Sequence, residues 1–254
     1  MKLKELLRLM EDIHKRLGTS KPFIVGGAPR DKLLNKLDKI EDLDITTGDD
    51  SVDFLAKELS IELGKTYNVQ TKVMNDGHSS IFAGNLKVDF SSNFNVPNID
   101  AILIKMGMQK PTSMQKELFS RDFTCNALLM DLNLETIIDP THFGFEDIKK
   151  RIIKTCLTPE ITLTSNKNRV VRAIYLAAKL DFNVAPNIIE WVKANPDSIR
   201  ISSPSSLTEK LNKAVAYNPE ITVKLLDQMD LWDHIPITEN LYAHYIQRKG
   251  TNAK

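Results

Sequence analysis

Cysteine is nearly absent: Cys125 and Cys156 are the only two in 254 residues, too few for a disulfide framework and without the spacing of a thiolate metal site. Cys125 lies in an apolar run and reads as a small buried residue. The histidines, His14, His78, His142, His234 and His244, are scattered and show no ligand spacing. No apolar run approaches the roughly 20 residues that a bilayer-spanning helix needs. No N-terminal apolar segment reads as an export signal, so a soluble, cytoplasmic protein is expected. An excess of one charge is missing as well, since 34 Lys and Arg face 33 Asp and Glu for a formal net charge of +1. Affinity for nucleic acid would therefore rest on local patches. Candidates are Lys149, Lys150, Arg151 and Lys154, and Lys167, Arg169, Arg172 and Lys179; the first group reads equally well as a solvated helix face. Internal repeats and low-complexity tracts are also lacking. The length suffices for an α/β core plus a helical module.

What is present concentrates between Pro22 and Asp44. Phe23, Ile24 and Val25 form a short apolar run ending at Gly26-Gly27, which reads as a buried strand entering a tight turn. Glycines there leave backbone N–H groups uncovered. Pro29 suits the first turn of a helix, and the stretch from Arg30 to Leu37 continues it, so a helix N-terminus would add its dipole at the same point. Arg30 offers a charge-assisted fork for phosphate. The paired glycines alone fit an ordinary strand-to-helix turn just as well.

Asp42-Leu43-Asp44-Ile45 follows, and alternate residues of a strand share a face. Asp42 and Asp44 would stand side by side while Leu43 and Ile45 enter the core. Neighbouring carboxylates repel unless a cation lies between them, and Mg2+ selects hard oxygen ligands. An exposed edge strand would show the same alternation. A third carboxylate, Asp89, sits in the alternating run Leu86 to Phe90, with His78 to Asn85 as the hairpin partner. Such a set suits nucleotidyl transfer, in which one metal activates a hydroxyl and a second steadies departing pyrophosphate.

Elsewhere the periodicity predicts an amphipathic helix from Leu3 to Leu17 ended by Gly18, and a helix from Ser51 to Leu63 with Ser51 as N-cap and Gly64 as terminator. Strands are expected at Val69 to Met74, Ser79 to Ala83 and Leu86 to Ser91. Ser92 to Ser113 reads as a loop around the apolar patch Ala101 to Met108. Thr124 to Asp131 and Glu135 to Ile138 suggest a return to the sheet. Arg169 to Leu180, Asn187 to Lys193, Ser206 to Val215 and Glu220 to Met229 read as helices punctuated by Pro196, Pro204, Pro219 and Pro236.

Taken together, VGGAPRDKLL and EDLDITT resemble the first signature of the class II tRNA nucleotidyltransferases and related bacterial poly(A) polymerases, within the polymerase beta-like superfamily. Ser120-Arg121-Asp122-Phe123-Thr124-Cys125-Asn126-Ala127 resembles that family's RRDFTINA segment. Asp139-Pro140 with Phe143 to Ile148 resembles its DP...G..D segment. Arg169 to Ala173 and Leu176 to Phe182 resemble the base-recognition helix, and Ile201 to Pro236 the helical body. The likeness covers residues 20 to 236.

The resemblance implies an α+β fold: a polymerase beta-like nucleotidyltransferase head with a small mixed sheet and helices over residues 1–150, then an all-helical neck and shortened body over 151–254. It implies that Gly26, Gly27 and Arg30 contact the triphosphate and that Asp42 and Asp44 bind catalytic Mg2+, with Asp89 as a further catalytic and metal-binding carboxylate. Arg121, Asp122 and Asn126 would hold the ribose or support the pocket, Asn126 having an equal claim to capping a turn. Asn166, Arg169 and Arg172 fall on the base-recognition segment. Two departures stand out: Ser120 replaces the first Arg of the RRDF motif, and Asn166 replaces the Asp of an EDPLR-type motif, which weakens base discrimination because an amide can flip. Tyr175, where another Arg is common, either stacks on a base or packs in the helical core.

The implied activity is addition of CMP or AMP from CTP or ATP to an RNA 3′ end by two Mg2+ ions, with a tRNA CCA end as the leading acceptor. The alternative is a poly(A) polymerase-like adenylyltransferase with relaxed RNA choice. A catalytically silent RNA-binding protein and a small-molecule nucleotidyltransferase stay as other classes. Partners would be RNA and nucleoside triphosphates, with no membrane and with a homo-oligomer left open.

Overall fold

The structure, a computed structural model, describes residues 2–37, 42–73, 78–91, 95–200 and 204–251. Met74, the start of the Ser92 to Ser113 stretch and Ile201 at the head of the body resemblance lie outside them. The chain divides into two compact units, 1–145 and 146–254. This division falls a few residues before the boundary expected at about 150.

The first unit opens with α1 (Leu3–Leu17), whose stripe of Leu6, Leu7, Met10 and Ile13 is buried and whose C-cap Gly18 takes φ 64°. A left-handed C-cap is where glycine costs least. Then come β1 (Phe23–Val25), α2 (Gly27–Leu33), β2 (Asp42–Thr46), α3 (Ser51–Gly64), β3 (Val69–Val73), β4 (Ser79–Ala83) and β5 (Leu86–Phe90). After them run α4 (Ile99–Lys105), α5 (Ser113–Ser120), a 3-10 turn at Thr124–Asn126, β6 (Leu129–Met130), β7 (Ile137–Ile138) and α6 (Gly144–Lys149), which crosses the division between the units.

The seven strands form one mixed sheet in the order β3-β4-β5-β2-β1-β6-β7. Every neighbouring pair is antiparallel except β2 and β5, which run parallel with Asp42 opposite Lys87 and Asp44 opposite Asp89. One face is apolar and packs on α1 and α3: Leu43, Ile45, Ile81, Val88 and Phe90 meet Leu6, Met10, Leu55 and Leu59, all at most 1% exposed. Burying each such side chain contributes about 1.5–3 kcal/mol. Because strand side chains alternate, the same packing turns Asp42 and Asp44 to the opposite face.

Several expectations need correction. Helix α2 stops at Leu33, well short of Leu37, because Asn35 takes φ 54° and Lys36 N–H bonds back to the Asp31 carbonyl at 2.8 Å. The start of α3 is held by Asp49, whose Oδ1 accepts the Ser51 N–H at 3.0 Å, and Gly64 lies within the helix. The apolar patch Ala101 to Met108 lies in α4 as far as Lys105, a helix that buries Ile99 and Leu103. A helix this short shows too little periodicity to be read from sequence.

The second unit holds β8 (Ile152–Ile153), α7 (Pro159–Ser165), α8 (Asn168–Leu180), β9 (Asn183–Val184), α9 (Pro186–Ala194), α10 (Pro204–Tyr217), α11 (Pro219–Gln228) and α12 (Glu239–Thr251). It is not all-helical, since β8 and β9 pair in parallel over two residues each. So short a bridge leaves no alternation for the sequence to reveal. Helix α8 is the centre of this unit: Val170, Val171, Ala173, Ile174 and Ala177 are fully buried, and α10 and α11 pack against it.

Candidate active site

The turn after β1 brings backbone close to a carboxylate. Gly26 has φ 81° and ψ −127°, and a Cβ built there would lie 2.5 Å from Asp44 Oδ2. Only glycine lets the Asp44 side chain rest against this turn. At Gly27 a Cβ would meet Arg30 Nη2 at 3.2 Å, so the second glycine makes room for the guanidinium.

Across the sheet, register sets the acidic residues. Asp44 is paired with Val25 of β1 and with Asp89 of β5, while Asp42 is paired with Lys87. The Lys87 ammonium contacts Asp89 Oδ2 and lies 3.4 Å from Asp42 Oδ1. Ser80, buried in β4, donates its hydroxyl to Asp89 Oδ1 at 2.6 Å. Partial burial works against the Lys87 charge, but hydrogen bonding and attraction from Asp89 and Asp42 outweigh it and raise its pKa. Asp42 remains open, with 67% of its side chain exposed against 23% for Asp89.

Among the described residues, no three His, Cys, Asp or Glu side chains are grouped closely enough to hold one metal ion together. The structure thus sets Asp42 and Asp44 on one face and leaves Asp89 engaged by Lys87 and Ser80. The donor chemistry still fits Mg2+: Asp42 and Asp44 offer hard carboxylate oxygens, and the Asp44 carboxylate lies against the bare Gly26 backbone.

Behind the turn lies a buried polar chain. Arg30 is 3% exposed; its Nε and Nη2 bond Asp31 Oδ1 at 2.8 and 2.7 Å, and its Nη1 bonds Asn126 Oδ1. Asn126 in turn donates to Asp122 Oδ1 at 3.1 Å, which also accepts the Phe123 N–H at 2.8 Å. Arg30, expected at the triphosphate, and Asp122 and Asn126, expected at the ribose or as pocket support, are thus joined in one chain of hydrogen bonds. Arg121 donates from Nη2 to Glu117 Oε1 at 2.8 Å, while its buried Nε has no hydrogen-bond partner. The other Glu117 oxygen accepts from Thr46, on the same β2 face as Asp42 and Asp44. Ser120, where the motif carries an arginine, is 1% exposed and bonds the Lys116 carbonyl and the Val96 N–H.

In the second unit the base-recognition candidates occupy the junction of α7 and α8. Asn166 is exposed and its Oδ1 accepts the Asn168 N–H at 2.9 Å. Arg169 is buried, its Nη1 reaching the Thr162 carbonyl at 3.1 Å and Ser165 Oγ at 2.8 Å. Arg172 is exposed. Tyr175 makes an edge contact with Tyr217, ring centroids 5.8 Å apart, which favours packing over base stacking. A cavity of about 540 Å³ is lined by Lys150, Arg151, Asp181, Asn183, Lys224 and Gln228 among others.

Sequence reasoning missed Lys87, Ser80 and Glu117. Lys87 was legible in principle, because it precedes Asp89 by two positions and so shares its face. Ser80 needed the hairpin register, and Glu117 joins the site only through tertiary packing.

Similarity to known proteins is consistent with this layout. The family model described as the Poly A polymerase head domain matches residues 22–154. The CCA-adding enzyme of Bacillus pumilus is 30% identical over 219 residues, 84% of this chain and 51% of that enzyme. The chain thus spans about half the length of that relative. Among solved structures, a tRNA-processing enzyme in an apo form is 25% identical with a TM-score of 0.69, covering 98% of this chain and 64% of its own. The fold also matches the Bacillus stearothermophilus CCA-adding enzyme in complex with CTP, at a TM-score of 0.70 and 23% identity over 96% of this chain and 58% of that one. Among the described residues, no helix is long and apolar enough to cross a membrane.

Proposed function

Because this chain belongs to the Poly A polymerase head-domain family, we propose that it transfers a nucleoside monophosphate from CTP or ATP to an RNA 3′ hydroxyl and releases pyrophosphate. The observation that carries this reading is the placement of Asp42 and Asp44 on one face of β2, with the Asp44 carboxylate against the bare Gly26 backbone. Asp42 and Asp44 would hold Mg2+, whose chemistry here is to lower the pKa of the 3′ hydroxyl and to offset charge on the departing pyrophosphate. Uncovered N–H groups at Gly26 and Gly27 would receive the triphosphate. Arg30, fixed by Asp31 and Asn126, would keep that turn in shape from behind and present its positive charge to it.

The similarity to CCA-adding enzymes favours the 3′ end of tRNA as acceptor. A second reading, adenylyl addition with relaxed RNA choice, is favoured by one local detail. The Asn166 carbonyl oxygen, the acceptor that would read a base's exocyclic amine, already accepts the Asn168 N–H at 2.9 Å.

Incubating tRNA transcripts that end before CCA, after C and after CC with each labelled nucleoside triphosphate separates the readings. Ordered C, C, A addition supports the first, and A-only elongation of unrelated RNAs the second. Asp42→Ala and Asp44→Ala should each lower the rate by at least about 10²-fold with the fold intact by circular dichroism. Wild-type turnover in either variant would remove its assigned role.

A further inference from the structure

We propose that Lys87 is a resident counter-ion of the acidic site, holding Asp42 and Asp89 in the metal-free protein and leaving Asp89 when a divalent cation binds. This rests on the assignment of Asp42 and Asp44 as metal ligands and goes beyond it by giving the site an exchangeable internal cation.

The argument starts from register. In the parallel β2–β5 pair, Asp42 faces Lys87 and Asp44 faces Asp89, so alternation gathers Asp42, Asp44, Lys87 and Asp89 on one side of the sheet. Carboxylates so gathered repel, and each raises the cost of ionising its neighbours unless positive charge is supplied. In this structure Lys87 supplies it, through contact with Asp89 Oδ2 and a 3.4 Å approach to Asp42 Oδ1. The other oxygen of Asp89 is occupied by the buried Ser80 hydroxyl at 2.6 Å. Both oxygens of Asp89 are thus engaged, and the bond to Lys87 is the more readily exchanged. An ammonium on a flexible four-carbon stem is strongly hydrated, and 37% of the Lys87 side chain is already exposed. A divalent cation held by Asp42 and Asp44 brings twice the charge to the same face, beside Asp89, and so replaces and repels the ammonium. Lys87 can swing into water, whereas Ser80, 4% exposed on a central strand, cannot.

Removing a competing unit charge at contact distance in a water-rich site corresponds to roughly a fivefold change in affinity. Mn2+ binding without nucleotide, measured by electron paramagnetic resonance on the full chain, should therefore tighten by about fivefold or more in Lys87→Met and stay near wild type in Lys87→Arg. Asp44→Asn should abolish binding in the same assay. If Mn2+ binds Asp44→Asn as it binds wild type, the metal assignment itself fails. If binding depends on Asp44 but Lys87→Met leaves affinity unchanged or weaker, the counter-ion role alone is overturned.

A second measurement needs no substitution. The 15N-edited side-chain signal of Lys87 in the wild-type protein should shift on titration with Mg2+, as the ammonium exchanges its carboxylate for water. An unmoved signal at Mg2+ concentrations that saturate the site would overturn the exchange, whatever the stability of the variants.

Discussion

Gly26 is the position where a single methyl group should do most harm. Its φ of 81° with ψ of −127° is a conformation essentially reserved for glycine, and an added Cβ would lie 2.5 Å from Asp44 Oδ2. Gly26→Ala is expected to lower stability by about 1–3 kcal/mol in urea unfolding. Nucleotide transfer, assayed where the variant is fully folded, should fall further than Gly27→Ala brings it, because the Asp44 carboxylate itself is displaced. At Gly27 the added Cβ meets only the end of the Arg30 side chain, at 3.2 Å. At this scale the site was partly legible. Alternation alone placed Asp42 and Asp44 together, since Leu43 and Ile45 had to be buried between and beyond them. The engagement of Arg30 by Asp31 and Asn126 was not, because its Asn126 partner comes from a turn 96 residues away in sequence.

Among the elements, the start of α3 makes the clearest electrostatic forecast. Burial pushes the Asp49 carboxyl upward, but hydrogen bonds from Ser20, Ser51 and Thr47 outweigh it and hold its pKa below the ordinary aspartate value. A carboxyl depressed by folding adds stability above its unfolded pKa of about 3.9 and loses that contribution as pH falls through the folded value. Asp49→Asn should therefore lower stability at pH 7 and give a shallower loss of stability below pH of about 4 than wild type, in urea melts run at both pH values. The long helices and the β4–β5 hairpin were legible from their apolar periods. Helix α4 and the β8–β9 bridge were not, for a period shorter than two turns or two residues carries no signal. The role of Asp49 ahead of α3 escaped for a different reason: Ser51 is a good capping residue by type, and only the turn geometry shows it inside the helix with its N–H on Asp49.

The whole molecule is two units, each with its own apolar core, and a chain whose net charge is only +1. RNA affinity on the proposed reading must then come from particular places. In the second unit, Arg151 and Lys224 line the cavity of about 540 Å³, and the Arg151 pairing with Asp181 is long, at 3.8 Å, and solvent-exposed. Exposed pairs of this kind contribute little and leave the cation available to phosphate. Arg151→Glu combined with Lys224→Glu should weaken RNA binding. It should also reduce the slope of log K against log salt by about 0.7 per lost single-strand phosphate contact, read from fluorescence anisotropy across a salt series. Unchanged affinity and slope would exclude this groove from the RNA path. The expectation of two modules rested on length and motif order, whereas the division after Phe145 depends on contacts that no local pattern encodes.

Parallel pairing between β2 and β5 also governs how the molecule tolerates change. The segment linking them, α3 through β4, loops out and returns, so length variation at its exposed turns would leave the acidic residues where they are. A one-residue slippage inside either strand would instead seat Leu43 or Val88 among the carboxylates and drive an aspartate into the packed layer beneath α1 and α3. For this chain, evolutionary freedom in the crossover and rigidity in its two flanking strands are one constraint seen from opposite ends.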